Sequence, residues 1–274
     1  MSLPAIEDEK FLTISLVIFK PNLVDLRKTL AALVETNVFK VHDCYLLVVD
    51  NSPTTEPAVT SLIKEFLDVI PGNYISRPDN PGFGVSHNLS LAIKSKYTLI
   101  LNPDLEMDKN ALENAFSFMD KHPECGLITP YATWGNGETQ YLCKRYPSVF
   151  VYLLRFFASV KGKRFFKNYL RSYEMADTLT PHDVYFDPPI VSGCFMFFRY
   201  SVLKEVSGFD PKFFLYFEDF DLSIRAGKIT RIAYVPDVKV VHYGGHAARK
   251  GWVHIKLFSR SMITFFNIHG WKIW

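Results

Sequence analysis

Tyr97-Thr98-Leu99-Ile100-Leu101-Asn102-Pro103-Asp104-Leu105-Glu106-Met107-Asp108 changes character at its midpoint. Thr98 to Leu101 is an uninterrupted apolar or β-branched run of the length of a short buried strand, and Asn102-Pro103-Asp104 ends it. A buried strand that delivers polar residues to its carboxyl end belongs in an open α/β sheet, where ligands bind in the crevice at those ends. Asp104, Glu106 and Asp108 would then stand at that edge. Hard carboxylate oxygens suit Mg2+ or Mn2+, which proteins usually hold with one or two carboxylates while substrate phosphates supply the rest. The same tripeptide is compatible with a plain strand end that caps the next helix, so the surrounding chain has to decide.

Upstream, Phe11 to Phe19 is an apolar run stopped by Pro21-Asn22, and Leu23 to Val34 has helical periodicity. Cys44 to Val49 forms a second strand ending in Asp50-Asn51-Ser52-Pro53, a helix carries Leu62, Ile63, Phe66 and Leu67, and a short strand lies near Tyr74-Ile75. Strand and helix alternate, as in a parallel sheet with crossover helices. Arg77-Pro78-Asp79-Asn80-Pro81-Gly82-Phe83-Gly84 is a turn that opens a predicted helix over Val85 to Lys96. Its glycines would let backbone N–H groups approach a phosphate or sugar, although tight turns use the same residues. The pattern is not Gly-x-Gly-x-x-Gly, which argues against a dinucleotide fingerprint. Downstream of the opening stretch, a helix over Asn110 to Met119 leads to a strand through Gly126 to Ile128, and Glu106 and Asp108 are expected to favour that helix's amino terminus.

From Tyr131 to Asp187 the alternation lapses. Val149 to Tyr173 reads as one helix mixing aromatics with bases, equally compatible with an anionic membrane surface and with a solvated face over an aromatic core. Ser192-Gly193 leads into a strand, Cys194 to Phe198, and Ser201 to Val206 gives a short helix. Phe213, Phe214, Tyr216 and Phe217 then abut Asp210, Glu218, Asp219 and Asp221. Carboxylates beside bulky apolar groups are desolvated, which raises their pKa as a general base requires; acids in the first turn of a helix would explain Glu218 and Asp219 as well. Two strands follow, Arg231 to Val235 and Val238 to Val241. They lead to His242-Tyr243-Gly244-Gly245-His246, then to Arg249-Lys250, a basic pair suited to closing over a diphosphate. Trp252 to Trp274 reads as an aromatic, basic helix.

The 274 residues suffice for a sizeable core, and 48% hydrophobic with 22% charged content is ordinary for a globular protein. Cys44, Cys125, Cys143 and Cys194 have no spacing that suggests zinc or a disulfide framework, so reduced thiols are expected. The first ten residues lack a signal-peptide pattern, and no apolar run reaches the ~18 residues of a spanning helix. The expectation is a cytoplasmic protein. The net charge of +3 conceals an asymmetry. Residues 144–171 carry eight Lys or Arg and no acid, and residues 249–274 carry five and no acid. The remainder of the chain is acid-rich, so something anionic is expected at the two basic tracts. Neither contains a nucleic-acid recognition motif, and no nucleic acid is expected.

The ordered motifs carry more than any one of them. Val-Asp-Asn-Ser (49–52), Asn-Pro-Gly-Phe-Gly-x-x-x-Asn (80–88), Leu-Asn-Pro-Asp (101–104), Ser-Gly-x-x-Met (192–196), Gly-Phe-Asp-x-x-Phe-Phe-x-Tyr-Phe-Glu-Asp-x-Asp-Leu (208–222) and His-Tyr-Gly-Gly (242–245) follow an opening strand. The set resembles family 2 glycosyltransferases of the GT-A fold, particularly the bacterial rhamnosyltransferase-like branch that builds O-antigens and related cell-surface polysaccharides. The resemblance spans roughly residues 11 to 250.

It implies an α/β fold with a single Rossmann-like mixed sheet flanked by helices. A GT-A domain would occupy 1–250, with a donor half over about 11–130 and an acceptor half over about 185–250. A basic aromatic helical insertion at 144–173 and a C-terminal amphipathic helix at 251–274 would accompany it. The resemblance further implies that Asp50, Asn51, Asn80, Gly82, Phe83, Gly84, Asn88 and Asn102 hold a nucleotide-sugar donor, with Arg249 and Lys250 at its diphosphate. Asp104 and His242 would hold the divalent metal, Mg2+ or Mn2+. Asp219 would be the catalytic base, Glu218 would assist it, and Ser192, Gly193 and Asp221 would lie on the acceptor side. The implied reaction is inverting transfer of a sugar, with dTDP-rhamnose the favoured donor and a UDP-sugar the alternative. The acceptor would be a saccharide hydroxyl, carried on a polyprenyl diphosphate at the inner face of the cell membrane. A non-catalytic binding protein on the same fold is the reading from another class. One departure is visible: the family's first strand usually ends in Thr-Tyr-Asn, whereas Ile18-Phe19-Lys20-Pro21 stands here, and Phe19 has no hydroxyl.

Overall fold

A computed structural model describes residues 8–157, 160–244 and 251–274. The apolar runs of the first half form β1 (Lys10–Ile18), β2 (Cys44–Asp50) and β3 (Gly72–Ser76), separated by α1 (Leu23–Glu35), the short α2 (Val38–Val41) and α3 (Pro57–Leu67). Asn22 caps α1, its side-chain oxygen accepting the Val24 and Asp25 N–H groups, and Pro57 opens α3 at a position where its missing N–H costs nothing. α4 (Phe83–His87) and a 3₁₀ turn (Asn88–Ala92) precede β4 (Ser95–Leu101) and β5 (Leu105–Met107). The helix expected over Val85 to Lys96 is therefore shorter. Ser90 donates its hydroxyl to the His87 carbonyl and the Ile93 N–H bonds Ser90 O, which tightens the chain into i→i+3 geometry before β4 begins.

α5 (Ala111–Lys121) and β6 (Cys125–Thr133) follow, then the small strands β7 (Thr139–Gln140) and β8 (Cys143–Lys144). The tract expected as one helix over 149–173 is broken into α6 (Val149–Phe157), α7 (Val160–Phe165) and α8 (Lys167–Tyr173). The reversal has a visible anchor: the hydroxyls of Tyr152 and Tyr173 meet at 3.1 Å, although they are 21 positions apart. A straight helix would separate them by roughly 30 Å. Next come β9 (Tyr185–Phe186), β10 (Ile190–Val191), β11 (Phe195–Arg199), α9 (Tyr200–Glu205) and α10 (Glu218–Ala226). A single long strand, β12 (Arg231–His242), replaces the two expected ones, with a register shift against β6 between Val235 and Lys239 where Pro236 has no N–H to contribute. α11 (Gly251–His269) ends the chain's regular structure.

The main sheet runs β3-β2-β1-β4-β11-β6-β12-β5, with β7 on β6 and β9 on β12; β8 and β10 pair separately. β1 to β4 are parallel neighbours where they pair, whereas β11 is antiparallel to both β4 and β6. Strands from the two halves of the sequence therefore alternate within one mixed sheet. Aliphatic side chains of α1, α3 and α5 pack one face. α9 and α10 cover the other around Phe198, Phe209 and Leu222.

Candidate active site

β4 and β12 bring the first wall of the site together. The chain leaves β4 at Asn102, and β12 pairs antiparallel with β5, which puts His242 opposite Leu105 and beside Asp104. His242 Nε2 lies 3.3 Å from Asp104 Oδ1, and the histidine is 6% exposed. Its Nδ1 meets Gln140 Oε1 at 3.0 Å, so Nδ1 donates to the amide oxygen and Nε2 is the ring nitrogen aimed at the carboxylate. Among the described residues, Asn102 Oδ1, Asp104 Oδ1 and His242 Nε2 are buried without a hydrogen-bond partner. Two facing electron-pair donors and a third nearby are the surroundings a hard divalent cation would satisfy. Gly244 completes the cradle: a Cβ there would stand 1.8 Å from Asp104 Oδ2 and 3.0 Å from His242 Nε2. No group of three or more His, Cys, Asp or Glu converges among the described residues. The donor set thus fits a cation shared with substrate phosphates rather than one enclosed by protein.

The second wall is the start of α10. Tyr216 and Phe217 both take left-handed backbone angles, φ 69° and 66°, which for bulky L-residues costs roughly 1–2 kcal/mol each. The turn they make places Glu218 and Asp219 at the helix's first positions. The Gly193 N–H donates to Asp219 Oδ2 at 2.8 Å and the Phe220 N–H to Oδ1 at 3.0 Å. A side chain at Gly193 would crowd the Asp219 Cβ at 3.1 Å. Burial raises the pKa of both acids: Glu218 goes well above the ordinary range, with the Asp219 charge adding to the effect, and at Asp219 the backbone N–H groups that hold its anion oppose the rise. The two buried carboxyls titrate as a pair, and the Gly193 and Phe220 N–H groups favour the anion on Asp219. Lys144 contributes as well: desolvation lowers its ammonium to about 8, and its charge favours ionised Asp219.

The two walls meet at two successive residues, Gly193 and Cys194. Gly193 N–H holds Asp219, and the carbonyl of the next residue, Cys194, accepts the Asn102 N–H at 2.9 Å. The Cys194 thiol is pushed up to about 12, chiefly by burial, with Asp104 and Asp219 both adding to the shift. The antiparallel insertion of β11 beside β4 is thus what sets the acid of one wall beside the acid of the other.

Other expected residues have different neighbours. Asp50 is buried; its oxygens accept from Ser52 N–H, Thr55 hydroxyl and Tyr74 hydroxyl at 2.8, 2.6 and 2.8 Å. Asn51 donates to Gly82 O and accepts from the Ser86 hydroxyl, which fastens the strand end to the glycine turn. Asn80 sits in that turn at φ 40°. The turn itself faces protein. A Cβ on Gly82 would meet Phe214 O at 2.5 Å, one on Gly84 would meet Phe209 Cβ at 2.6 Å, and the Phe83 N–H bonds Phe214 O. Asn88 spends its amide on both backbone groups of Phe209, at 2.8 Å each. These glycines allow close packing against the segment that leads to Asp219. Ser192 lies beside Gly193, its N–H on Leu142 O. Asp221 turns away from the two walls, its carboxylate engaged by Arg225 and His269. Glu106 is on β5, accepting from the Tyr243 hydroxyl, and only Asp108 leads into α5 as expected. Arg249 and Lys250 lie outside the described residues. Gln140 and Lys144 were not legible as site residues, since both come from the stretch where strand and helix periodicity lapses.

The family model described as "Glycosyltransferase like family 2" matches residues 21–264. The rhamnosyltransferase WbbL of Escherichia coli K12 is 26% identical over 178 residues, 61% of this chain and 63% of that one. An N-acetylglucosaminyl-diphospho-decaprenol L-rhamnosyltransferase of Mycobacterium tuberculosis is 25% identical over 173 residues, 62% of this chain and 54% of that one. The match thus spans between about half and two thirds of the length of these relatives. Among solved structures, Staphylococcus aureus TarS 1-349 superposes with a TM-score of 0.58 at 14% identity, covering 94% of this chain and 72% of that one. GalNAc-T7, crystallised with UDP, GalNAc and Mn2+, gives a TM-score of 0.62 at 14% identity over 86% of this chain and 43% of that one. The fold is GT-A, and the chain belongs to glycosyltransferase family 2.

Proposed function

We propose that the protein transfers a sugar from a nucleoside-diphosphate donor to a saccharide hydroxyl by single displacement with inversion, in the synthesis of a bacterial cell-surface polysaccharide such as an O-antigen. The observation that carries the reading is the pair of adjacent residues Gly193 and Cys194, whose N–H and carbonyl tie the carboxylate of Asp219 to the wall of Asn102, Asp104 and His242. Departure of the diphosphate leaves oxocarbenium character on the sugar and charge on the phosphate, so one wall must take a proton from the acceptor while the other receives anionic oxygen. Asp219 is built for the first task. Burial makes it a stronger base than a surface aspartate, and the Gly193 N–H fixes its orientation. Glu218, pushed toward its protonated form by burial, would donate a hydrogen bond to the acceptor from an Oε2 that has no partner among the described residues. Asn102 would contact the donor. Asp104 and His242 would hold a divalent cation, Mg2+ or Mn2+, which when bound supplies positive charge against the leaving diphosphate. Asp50 and Asn51 would shape the nucleotide end of the cleft.

For the donor we favour dTDP-rhamnose, supported by the rhamnosyltransferase relatives. A UDP-sugar is the second reading, supported by neighbours solved with UDP and UDP-GlcNAc. For the acceptor we favour a saccharide on a polyprenyl diphosphate, supported by the decaprenol-linked substrate in the name of the mycobacterial relative. Thermal-shift screening of dTDP-rhamnose against UDP-sugars, with and without Mn2+, decides the donor, since a ligand of the native state raises Tm. Asp219→Asn should abolish transfer while leaving the donor-induced shift intact; turnover at the wild-type rate would remove Asp219 from the base position.

A further inference from the structure

The turn that presents Glu218 and Asp219 is strained, and the contacts that hold it come from the far end of the chain. Two successive bulky residues, Tyr216 and Phe217, occupy the left-handed region that favours glycine. α11 grips this segment at three points in sequence. The Tyr216 hydroxyl meets His254 Nδ1 at 2.9 Å, Ser261 donates its hydroxyl to the Leu215 carbonyl at 2.8 Å, and His269 Nε2 donates to Asp221 Oδ1 at 2.8 Å. Between these, the Phe217 ring is packed by Phe258 and Phe265 of α11, with centroids 5.1 and 5.3 Å away. Asp221 is 1% exposed and lies one half-turn beyond Asp219, and its second oxygen is bonded by Arg225. Arg225 in turn donates to the carbonyls of Val206 and Gly208. The turn and the start of α10 are thus held from both sides. One contact set, from Leu215 to Asp221, runs along a single face of α11 and coincides with the strained residues and the two acids.

We infer that α11 is a clamp that holds the Tyr216-Phe217 turn in its left-handed form and thereby positions Asp219, with His254, Ser261 and His269 as positioning residues. The clamp rests on the proposed function only in giving Asp219 the base role. Without the clamp the turn relaxes, and Asp219 swings off the Gly193 N–H while the sheet and the Asp104–His242 wall stay in place. The donor side therefore keeps its affinity and the proton-accepting side loses its aim.

The test uses the full chain and two mild variants, Ser261→Ala and His269→Phe, the second keeping a ring beside Phe265. Hydrogen exchange, which needs no ligand, should quicken about fivefold in peptides covering 213–221, the equivalent of one ordinary net hydrogen bond, and stay unchanged across β1 and β2. With dTDP-rhamnose or the UDP-sugar that the chain turns over, kcat should fall about fivefold while the donor KM stays within about twofold. His269→Gln, which keeps a side-chain donor, should recover most of both effects. Unchanged exchange over 213–221 in both variants, equal quickening throughout the sheet, or a raised donor KM at wild-type kcat would overturn the clamp. If exchange responds as stated but no nucleotide sugar is turned over by the wild type, the proposed function fails and the clamp stands.

Discussion

Gly244 leaves no room for a side chain. A methyl group there would fall on Asp104 Oδ2, so Gly244→Ala should displace the carboxylate from His242 and cut metal-supported turnover by about a hundredfold or more. Calorimetric titration of Mn2+ in the presence of donor would check it, the expected result being loss of the binding heat with Tm close to wild type. Glu218 gives a pH-dependent prediction. Its folded-state pKa is raised by burial, so its contribution to stability is present at pH below the ordinary value of 4.5 and is lost as pH rises toward the folded value. Glu218→Gln should therefore raise Tm at neutral pH, with the gain shrinking to nothing as pH falls through 4.5. A gain independent of pH would mean that packing, not ionisation, is responsible. Asp219 has its pKa raised in the same way, so the acidic limb of the kcat profile should lie above the 3.8 of an ordinary aspartate and vanish in Asp219→Asn with the activity.

At the scale of elements, the connection between α4 and the 209–214 segment matters most. Asn88 alone satisfies both backbone groups of Phe209. Asn88→Ala should cost about 1–3 kcal/mol in urea unfolding, because two part-buried backbone groups lose their partners. Gly82→Ala would combine a φ of 105° with a clash at the Phe214 carbonyl and should cost at least as much. The Asn-Pro-Gly-Phe-Gly motif was legible as a turn before a helix, but its packing role was not. Glycine is required equally by a phosphate and by another strand of backbone, and no residue within the motif says which one approaches.

At the scale of the whole molecule, the two basic tracts are brought together. The Val149 and Phe150 N–H groups bond Lys272 O and Ile273 O, Tyr146 donates to Gly270 O, and the rings of Phe150 and Trp274 lie 5.1 Å apart. Phe165, Trp252, Val253, Ile255, Trp271 and Trp274 are exposed on the two tracts, as are Arg164, Lys167, Arg171, Lys256, Arg260 and Lys272. No helix of the described residues is long and apolar enough to cross a membrane. Apolar rings flanked by cations suit the interface of an anionic bilayer, and we propose that the protein docks there. Co-sedimentation with phosphatidylglycerol vesicles should be strong at low salt and weak with zwitterionic vesicles. Lys256→Glu with Arg260→Glu should reduce it by about thirtyfold or more, at roughly 1 kcal/mol for each of the two bases lost. Equal binding to both vesicle types would remove the electrostatic component.

The sequence by itself determined the alternation of strand and helix and the strand edge at Asn102-Pro103-Asp104, because apolar periodicity and turn chemistry are local, while the grouping of Asp104, Asp219 and His242 came from the resemblance to a family pattern. Only the tertiary structure decided which residues meet. It placed β11 antiparallel beside β4, so that Gly193 and Cys194 join two walls whose acids are 115 positions apart in sequence. It folded the expected 149–173 helix back so that Tyr152 meets Tyr173, turned the glycines of the 80–84 turn toward Phe209 and Phe214, and gave Asp221 to His269. The reason is the same in each case. Burial, hydrogen-bond satisfaction and desolvation are properties of neighbours in space, and long-range strand pairing sets those neighbours.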